Sequence, residues 1–190
     1  MRLDHAERIA GRIVGALREW CDRIEIAGSI RRRRPHVGDI DLVVLARDGQ
    51  EQRIRDRMLQ SCRRVVSGDQ AMVVAMPVPS GFPHPANELQ IDIWFAKRST
   101  GDLFEVAASA HNFGTLLLCR TGSKEHNIRL CTRARDMGIK WDPHHGVMRG
   151  NRVVASEEEE DVFRALDLPF IAPENREAGV RFPTIIPTEP

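Results

Sequence analysis

The stretch from Ala27 to Leu45, AGSIRRRRPHVGDIDLVVL, decides the fold and has three parts. A Gly-Ser turn is followed by four arginines, and these by a Gly-Asp-Ile-Asp run that opens an apolar strand. Because successive side chains of a strand alternate between its faces, Asp39 and Asp41 project to one side. Two neighbouring carboxylates resist each other's ionisation, and a divalent cation relieves that conflict. Hard oxygen ligands with room left for phosphate are typical of a Mg²⁺ site.

The turn that precedes this pair has features of a phosphate cradle. Gly28 lets the backbone approach a ligand closely, and we expect Ser29 to cap the following helix, whose N-terminus favours an anion. Each part taken alone has a simpler explanation: a plain turn, a solvated basic face or nucleic-acid patch, and an acidic pair at a sheet edge. Their occurrence together, in this order, favours phosphoryl or nucleotidyl transfer.

Length and composition limit the number of domains, the possible partners and the compartment of the protein. The chain has 190 residues and a net charge of +1, so it supports one domain or two small subdomains, and nucleic-acid binding has to rely on local patches. The basic residues are nearly all arginine, which binds phosphate in a planar, two-pronged geometry. The four cysteines show no CxxC spacing and are typical of free thiols in a reducing compartment. No apolar run is long enough to span a membrane, so we expect a cytoplasmic protein without a membrane partner.

Hydrophobic periodicity predicts an α+β fold of helices and strands. The sequence pattern changes after Lys97. This change predicts a second, small α/β subdomain over residues 98–178 and an extended tail over 179–190. The predicted helices are Leu3–Trp20, Gln50–Cys62, Asp102–Leu118 and Glu125–Met137, and the predicted strands are Arg23–Ala27, Asp39–Ala46, Arg63–Ser67, Ala71–Met76 and Glu88–Phe95. Residues 139–154 are expected to form a hairpin or small sheet.

Two acidic features need separate interpretations. Asp92 is the charge inside the strand ELQIDIWF, where it costs several kcal/mol unless it is paired or bound to a metal. Asp92 could lie on a solvated face, but beside the Asp39 and Asp41 pair a third metal ligand is favoured. The run Ser156-Glu-Glu-Glu159 resembles a capping box, so we interpret it as the start of a helix and not as a ligand site.

Four motifs and a C-terminal segment form a further pattern: Gly28-Ser29-x-x-Arg32, Gly38-Asp39-x-Asp41, Ile91-Asp92-Ile93, Thr121-Gly122-Ser123-Lys124-Glu125-His126-Asn127 and Leu168-Pro-Phe-Ile-Ala-Pro-Glu-x-Arg-Glu177. Together they resemble family X DNA polymerases, over about residues 1–178, and the resemblance implies a nucleotidyltransferase-type palm with a mixed β-sheet flanked by helices. Thr-Gly-Ser followed by Asn127 is more specific to polymerases than Gly-Ser with Asp-x-Asp, which the wider nucleotidyltransferase superfamily shares. The last of the four motifs and the C-terminal segment resemble the bacterial branch.

The resemblance implies a catalytic palm over residues 1–97 and two Mg²⁺ ions, with Mn²⁺ as an alternative. Asp39, Asp41 and Asp92 would be the catalytic and metal-binding residues. The resemblance further implies that Gly28, Ser29, Arg32 and Gly38 bind the phosphates. It places Thr121, Gly122 and Ser123 under the deoxyribose and Asn127 at the minor-groove edge of the base.

We expect DNA, gapped or primer-template, and nucleoside triphosphates as partners of a monomeric enzyme. The expected DNA-binding residues are Arg31, Arg33, Arg34, Lys124, Arg129 and Arg133. Lys124 and Arg129 could equally be exposed helix charges, and His126 is more typical of a packing residue than of a catalyst. We expect no lyase, helix-hairpin-helix or phosphoesterase domain in this chain. Binding through so few phosphate contacts should be weak and salt-sensitive.

Several positions depart from the family pattern. Cys119 and Arg120 stand where many members have an aromatic pair that limits ribonucleotide entry, so we predict relaxed sugar discrimination. Cys131 stands where an arginine often reaches the template, with Arg133 two residues further on, which bears on fidelity. Trp94 replaces the arginine that usually follows Asp92, and the sequence assigns it no role.

Three function classes remain open at this point. The first is a DNA-directed DNA polymerase for short-gap repair synthesis. The second is a template-independent nucleotidyltransferase that acts on a non-DNA acceptor, and the third is a DNA-binding module without chemistry. The three acids argue against the third class, and the Thr-Gly-Ser motif favours the first over the second.

Overall fold

The computed structural model describes residues 1–78, 87–98 and 111–177. The chain forms two compact units, Met1–Lys97 and Arg98–Pro190. The predicted tail over 179–190 lies outside the described residues, as do residues 102–110 of the helix predicted from Asp102 to Leu118.

The first unit is a five-stranded sheet with helices packed against it, as predicted. The sheet order is β1-β2-β5-β4-β3, in which β2 and β5 are parallel and the other neighbours antiparallel. The elements are α1 Leu3–Leu17, β1 Cys21–Ile26, α2 Gly28–Arg31, β2 Asp39–Ala46, α3 Glu51–Leu59, β3 Arg63–Ser67, β4 Ala71–Pro77 and β5 Glu88–Phe95, with a 3₁₀ turn Arg18–Trp20 after α1.

Alternation along β2 and β5 separates a core face from a polar face. Ile40 and Leu42 of β2 and Ile91 and Ile93 of β5 are fully buried in one cluster with the apolar side of α1. The residues between them, such as Asp41 and those at 90, 92 and 94, are half-buried or exposed. Because the period of a strand is two, fixing the core face also fixes which side chains stand on the other face.

The second unit has its own core, separate from the first. Its helices pack beside a three-stranded antiparallel sheet in the order β6-β7-β8. The elements are α4 Phe113–Thr121, α5 Lys124–Asp136, β6 Lys140–Asp142, β7 Gly146–Arg149, β8 Arg152–Ala155, α6 Glu159–Ala165 and a 3₁₀ turn Pro173–Asn175. Gly138, with φ of 68°, follows the end of α5 in the left-handed conformation that ends many helices.

Three local predictions are wrong. Ser29 does not cap α2: Ala27 is at the N-cap and Ser29 is the second helical residue. The capping box at Ser156 does not form either, because α6 begins at Glu159 after Glu158, with no side-chain cap bond. The helix predicted from Asp102 cannot run unbroken to Leu118, because residues 111 and 112 are not helical and α4 begins at Phe113.

The four cysteines are free, as predicted. Among the described residues, no helix has both the length and the apolar character needed to cross a membrane.

Candidate active site

The parallel pairing of β2 with β5 brings the predicted acids onto one face of the first unit's sheet. Asp41 and Asp92 are register partners, and Asp39 is opposite Gln90. Neighbouring strands of a sheet lie about 4.7–4.9 Å apart. All three carboxylates are half-buried, whereas their sequence neighbours Ile40 and Ile91 point into the core. The structure therefore places the three acids on a common face.

Neutral donors on β5 hold two of these carboxylates. Trp94 Nε1 donates to Asp41 Oδ1 over 3.4 Å, and Gln90 Nε2 donates to Asp92 Oδ1 over 2.9 Å. In the part of the chain that the structure describes, no three His, Cys, Asp or Glu side chains are gathered as a formed metal site. The acids share a face without converging on one point, and their role as metal ligands stays a prediction.

Gly28 lies against the second carboxylate oxygen of Asp41, Oδ2. Its φ of 58° is in the left-handed region, and a Cβ built there would overlap Asp41 Oδ2. The turn is tied to β2 through its backbone, since the Ala27 amide donates to the Asp41 carbonyl over 2.8 Å. Glycine is required here both for the backbone conformation and for the close approach of the carboxylate.

Ser29 carries a hydroxyl that no group in the described residues satisfies. Its Oγ is buried and has no hydrogen-bond partner. A buried hydroxyl without a partner costs about 1–3 kcal/mol, so such groups usually mark a site that a ligand completes. The residue directly follows Gly28 in the chain.

The remaining predicted phosphate and DNA residues of this unit surround the same turn. The Arg32 amide closes α2 by donating to the Gly28 carbonyl, and Arg32 itself is half-buried. Gly38 is exposed, immediately before β2. Arg31 is half-buried, whereas Arg33, with φ of 57°, and Arg34 are exposed.

The donor set fits divalent cations with a phosphate ligand. Three carboxylates on one face supply the hard oxygens that Mg²⁺ prefers, and Mn²⁺ accepts the same ligands. Gly28, whose missing Cβ lets Asp41 Oδ2 approach, is followed directly by Ser29, whose Oγ has no partner among the described residues. These residues could hold the ions and the phosphates of a nucleotide.

In the second unit, the Thr-Gly-Ser turn connects α4 to α5. Thr121 is buried at the end of α4, and Gly122 has φ of 73° and a cis peptide bond to Ser123. Ser123 is the N-cap of α5, where its Oγ accepts from the His126 amide over 3.3 Å. The Ser123 amide donates to the Arg176 carbonyl over 3.1 Å, which fixes the turn against the C-terminal segment.

The side chains of Asn127 and His126 differ in their hydrogen bonds and in their burial. Asn127 Nδ2 donates to the Cys119 carbonyl over 2.8 Å, while its Oδ1 is buried without a partner among the described atoms. His126 is 1% exposed and packs against Phe163 at a ring distance of 5.9 Å. Burial, followed by the positive charges of Arg176 and Arg129, lowers the pKa of His126 to about 4. His126 is therefore neutral at pH 7, which suits a packing residue.

Two arginines predicted to contact DNA are engaged inside the unit. Arg129 donates to the Glu177 carbonyl over 3.3 Å. Arg133 donates to the Leu166 carbonyl over 3.0 Å and is 3.9 Å from the Asp167 carboxylate. Lys124, in contrast, is exposed at the start of α5. The two arginines hold the unit together in this conformation, and their contact with DNA stays a prediction.

The sequence analysis missed a buried ion pair. Arg176 is 0% exposed and Glu159 4%, and Arg176 Nη1 donates to Glu159 Oε1 over 2.6 Å. The guanidinium also contacts the rings of Phe163 and Phe170. The acidic residues at 156–159 are the sequence feature that indicates this pair, but the capping-box pattern assigns them only to a helix start. Arg176 thus anchors the segment that supports Ser123.

A cavity of about 500 Å³ lies between residues of α5, β6 and β7. It contains none of the residues predicted to bind the nucleotide, and sequence reasoning did not find it. Its walls are formed by Cys131, Ala134, Arg135, Gly138, Ile139, Lys140, Trp141, Met148 and Gly150.

Comparisons with known proteins agree with this architecture. The model of the DNA polymerase beta thumb family matches residues 116–177. The fold is similar to that of Leishmania infantum polymerase beta in a ternary P/T complex, with a TM-score of 0.71 and 20% identity over 93% of this chain and 76% of that chain. It is equally similar to the same protein's ternary gap complex, with a TM-score of 0.71 and 19% identity over 93% and 70% of the two chains. No curated protein gives a significant sequence match.

The fold is therefore that of polymerase beta, and residues 116–177 form a segment of the polymerase beta thumb type. The resemblance to family X DNA polymerases drawn from the motifs is confirmed by both comparisons. The prediction of an α+β fold with a mixed sheet is confirmed as well.

Proposed function

We propose that this chain is a family X DNA-directed DNA polymerase, a nucleotidyltransferase that adds nucleotides to a primer 3′-hydroxyl during short-gap repair synthesis. The observation that carries the proposal is the parallel register of β2 and β5, which places Asp92 opposite Asp41 beside Gly28 and Ser29. The polymerase beta fold and the thumb match support the same class.

Asp39, Asp41 and Asp92 are proposed to hold two Mg²⁺ ions, which Mn²⁺ can replace. When bound, such ions activate the primer hydroxyl and neutralise the charge that develops on the transferred phosphate. The protein's own part is to orient the three carboxylates. The sheet register and the Gly28 turn do this before any substrate arrives.

Phosphate binding is proposed for the turn and short helix next to Asp41. Ser29 Oγ, which has no partner among the described residues, supplies a hydrogen bond, and Arg32 supplies a charge from the same turn. Gly38 leaves the backbone before β2 open to a ligand. Catalysis of this kind depends mainly on positioning and charge neutralisation.

Nucleotide and DNA contacts are proposed for the second unit as well. The Thr121-Gly122-Ser123 turn is proposed to support the sugar. Asn127, whose Oδ1 has no partner among the described residues, is proposed to face the base. The two solved structures are a ternary P/T complex and a ternary gap complex of Leishmania infantum polymerase beta, and we extend DNA binding to this chain by analogy. We further propose a cytoplasmic monomer.

Primer extension on DNA with a single-nucleotide gap tests the proposal, in Mg²⁺ or Mn²⁺. The test variant is Asp92→Asn. Its matched control is Asp56→Asn, which removes an exposed carboxylate from α3. Templated addition that Asp92→Asn abolishes and Asp56→Asn retains supports a polymerase. Untemplated addition, transfer only to a non-DNA acceptor, or activity that survives Asp92→Asn contradicts it.

A further inference from the structure

The second unit contains a cavity of about 500 Å³ that the proposed function does not use. It lies where the C-terminal half of α5 meets β6 and β7, and its wall includes Cys131 and Arg135 of α5, Lys140 and Trp141 of β6 and Met148 of β7. Sites for small ligands are typically clefts of about 300–1,000 Å³ with apolar walls and a few polar groups. The cavity therefore has the size of a ligand site, towards the opposite end of α5 from the Thr-Gly-Ser turn.

Apolar surface and positive charge meet in the wall of this cavity. Ile139 and Trp141 are buried, Met148 is half-buried, and Arg135 and Lys140 are exposed. None of the described residues that form the wall is acidic. A ligand that combines an apolar body with a negative charge is complementary to such a wall.

Both cations of the wall have carboxylate neighbours outside it. Arg135 Nη2 is 3.4 Å from Asp136 Oδ1, and Lys140 Nζ is 3.5 Å from Asp142 Oδ2. The side chains of Arg135 and Lys140 are 77% and 67% exposed. Exposed ion pairs contribute little to stability and are screened by salt, so an anion in the cavity can compete for either cation.

Trp141 contributes a flat ring and a hydrogen-bond donor. The residue is 8% exposed, and its Nε1 is buried without a hydrogen-bond partner among the described residues. An indole N–H only donates, and a buried donor without an acceptor is unfavourable. Because buried polar groups are nearly always paired, this donor indicates an acceptor that the described residues do not supply. Aromatic side chains are also the surfaces on which nucleobases stack.

We propose that the cavity binds one unpaired nucleotide, with the base against Trp141 and the phosphate on Arg135 and Lys140. A nucleobase is planar and carries acceptor atoms, which suits both the ring and the N–H of an indole. A guanidinium binds phosphate through two parallel hydrogen bonds, and an ammonium adds a second positive charge. An acyl chain with a carboxylate would match the charge and the apolar wall, but it has no planar ring to stack on the indole.

The nucleotide has two sources with the same chemistry. It is either a free nucleoside monophosphate or an unpaired nucleotide within a single strand of DNA. The site involves none of the three acids of the first unit, so the inference goes beyond the proposed function. Its test needs neither a metal ion nor primer extension.

Isothermal titration calorimetry of the full-length protein in EDTA tests the proposal, with dAMP and a single-stranded oligodeoxyadenylate as separate ligands. Arg135→Gln removes a cation from the wall and is expected to weaken binding about tenfold. Trp141→Phe keeps a ring and removes the donor, with an expected loss of about three- to tenfold. The matched control is Arg152→Gln, which removes an exposed arginine of β8 outside the wall and is expected to keep the wild-type affinity.

The two ligands distinguish the two sources. Binding of dAMP that both wall substitutions weaken identifies a site for a free nucleotide. If only the oligonucleotide shows this dependence, the site holds an unpaired nucleotide of a strand. The proposal is overturned if neither ligand binds, if Arg135→Gln and Arg152→Gln cause equal losses, or if Trp141→Phe leaves the affinity unchanged.

A measurement on the wild-type chain keeps the test valid if a variant folds poorly. With 5-fluorotryptophan incorporated, the bound ligand is expected to shift the ¹⁹F signal of Trp141 and to leave that of Trp20, in the first unit, in place. A Trp141 signal that does not move at saturating ligand overturns the proposal. Failure of the proposed function gives a different result: gap filling is absent while the ligand still shifts the Trp141 signal.

Discussion

Asp41 on β2 and Asp92 on β5 are partners in a parallel strand pair, with both carboxylates on the face opposite the apolar core. Strands β3 and β4 intervene in the chain, and β4 pairs with the other side of β5. The acids of two distant motifs therefore become neighbours through sheet order. This relationship is what makes a shared cation site sterically reasonable.

Gly28→Ala is expected to damage both stability and activity. A side chain at φ of 58° is strained by about 1–3 kcal/mol, and the new Cβ overlaps Asp41 Oδ2. Displacing that carboxylate is expected to lower the rate of nucleotide addition by about 10²-fold. Urea unfolding and single-turnover gap filling measure the two effects.

Gly15→Ala is the matched control, because nothing lies within 4 Å of its added Cβ in the exposed part of α1. This change is expected to stabilise the protein by about 0.5–1 kcal/mol and to leave the rate unchanged. Equal effects of the two substitutions would contradict the cradle described for Gly28.

Ser29→Ala is expected to weaken nucleotide binding without lowering the stability of the protein. The hydroxyl has no partner within the described structure, so its removal leaves the free energy of unfolding unchanged or slightly higher. If Oγ binds a nucleotide phosphate, the KM for the incoming nucleotide rises about tenfold or more. Steady-state kinetics with Ser61→Ala as an exposed control checks this, and an unchanged KM excludes a phosphate contact.

Sugar discrimination is expected to be weak. Cys119 and Arg120 precede the Thr-Gly-Ser turn, and the Cys119 carbonyl accepts from Asn127 at the end of α4. Without an aromatic side chain at either position, kcat/KM for ribonucleotides is expected to be within about tenfold of that for deoxynucleotides. Cys119→Tyr combined with Arg120→Phe is expected to restore a deoxynucleotide preference. A strong preference in the wild type would show that another group excludes the ribose.

Stability is expected to fall as the pH drops from about 6.5 towards about 4. The pKa of His126 falls from 6.5 to about 4 on folding because the ring is buried near cations, so the unfolded chain binds more protons in this range. The stability that the neutral His126 ring contributes is fully present above its pKa of 6.5 in the unfolded chain. It is lost as the pH falls towards its pKa of about 4 in the folded chain. Urea midpoints of the wild type and His126→Phe at pH 7 and pH 5 test this. His36→Phe, at an exposed site, is expected to keep the wild-type dependence.

Local sequence patterns predicted the site strands but not their neighbours in the sheet. The bounds of Asp39–Ala46 and Glu88–Phe95 agree with β2 and β5 because the first is a continuous apolar run after Asp41 and the second alternates along its length. The parallel contact between them is non-local, and no spacing in the chain encodes it. The hydrogen bond from Trp94 to Asp41 depends on that register. For the same reason it could not be predicted from the sequence.

Two helix starts were misassigned, one because a buried ion pair uses the side chain and one because of a backbone turn. Ser156 and Glu159 fit a capping box, but the Glu159 carboxylate is committed to the buried guanidinium of Arg176. Ser29 was expected to cap α2, but the left-handed turn at Gly28 moves the N-cap back to Ala27. Local propensity does not contain either contact.

Anomalous diffraction from crystals grown with Mn²⁺, gapped DNA and a non-hydrolysable deoxynucleotide tests the central claim most directly. The account predicts two Mn²⁺ peaks within bonding distance of the carboxylates of Asp39, Asp41 and Asp92, with the phosphates beside Ser29. Mn²⁺ bound elsewhere, or a nucleotide whose phosphates avoid the Gly28-Ser29 turn, would contradict it.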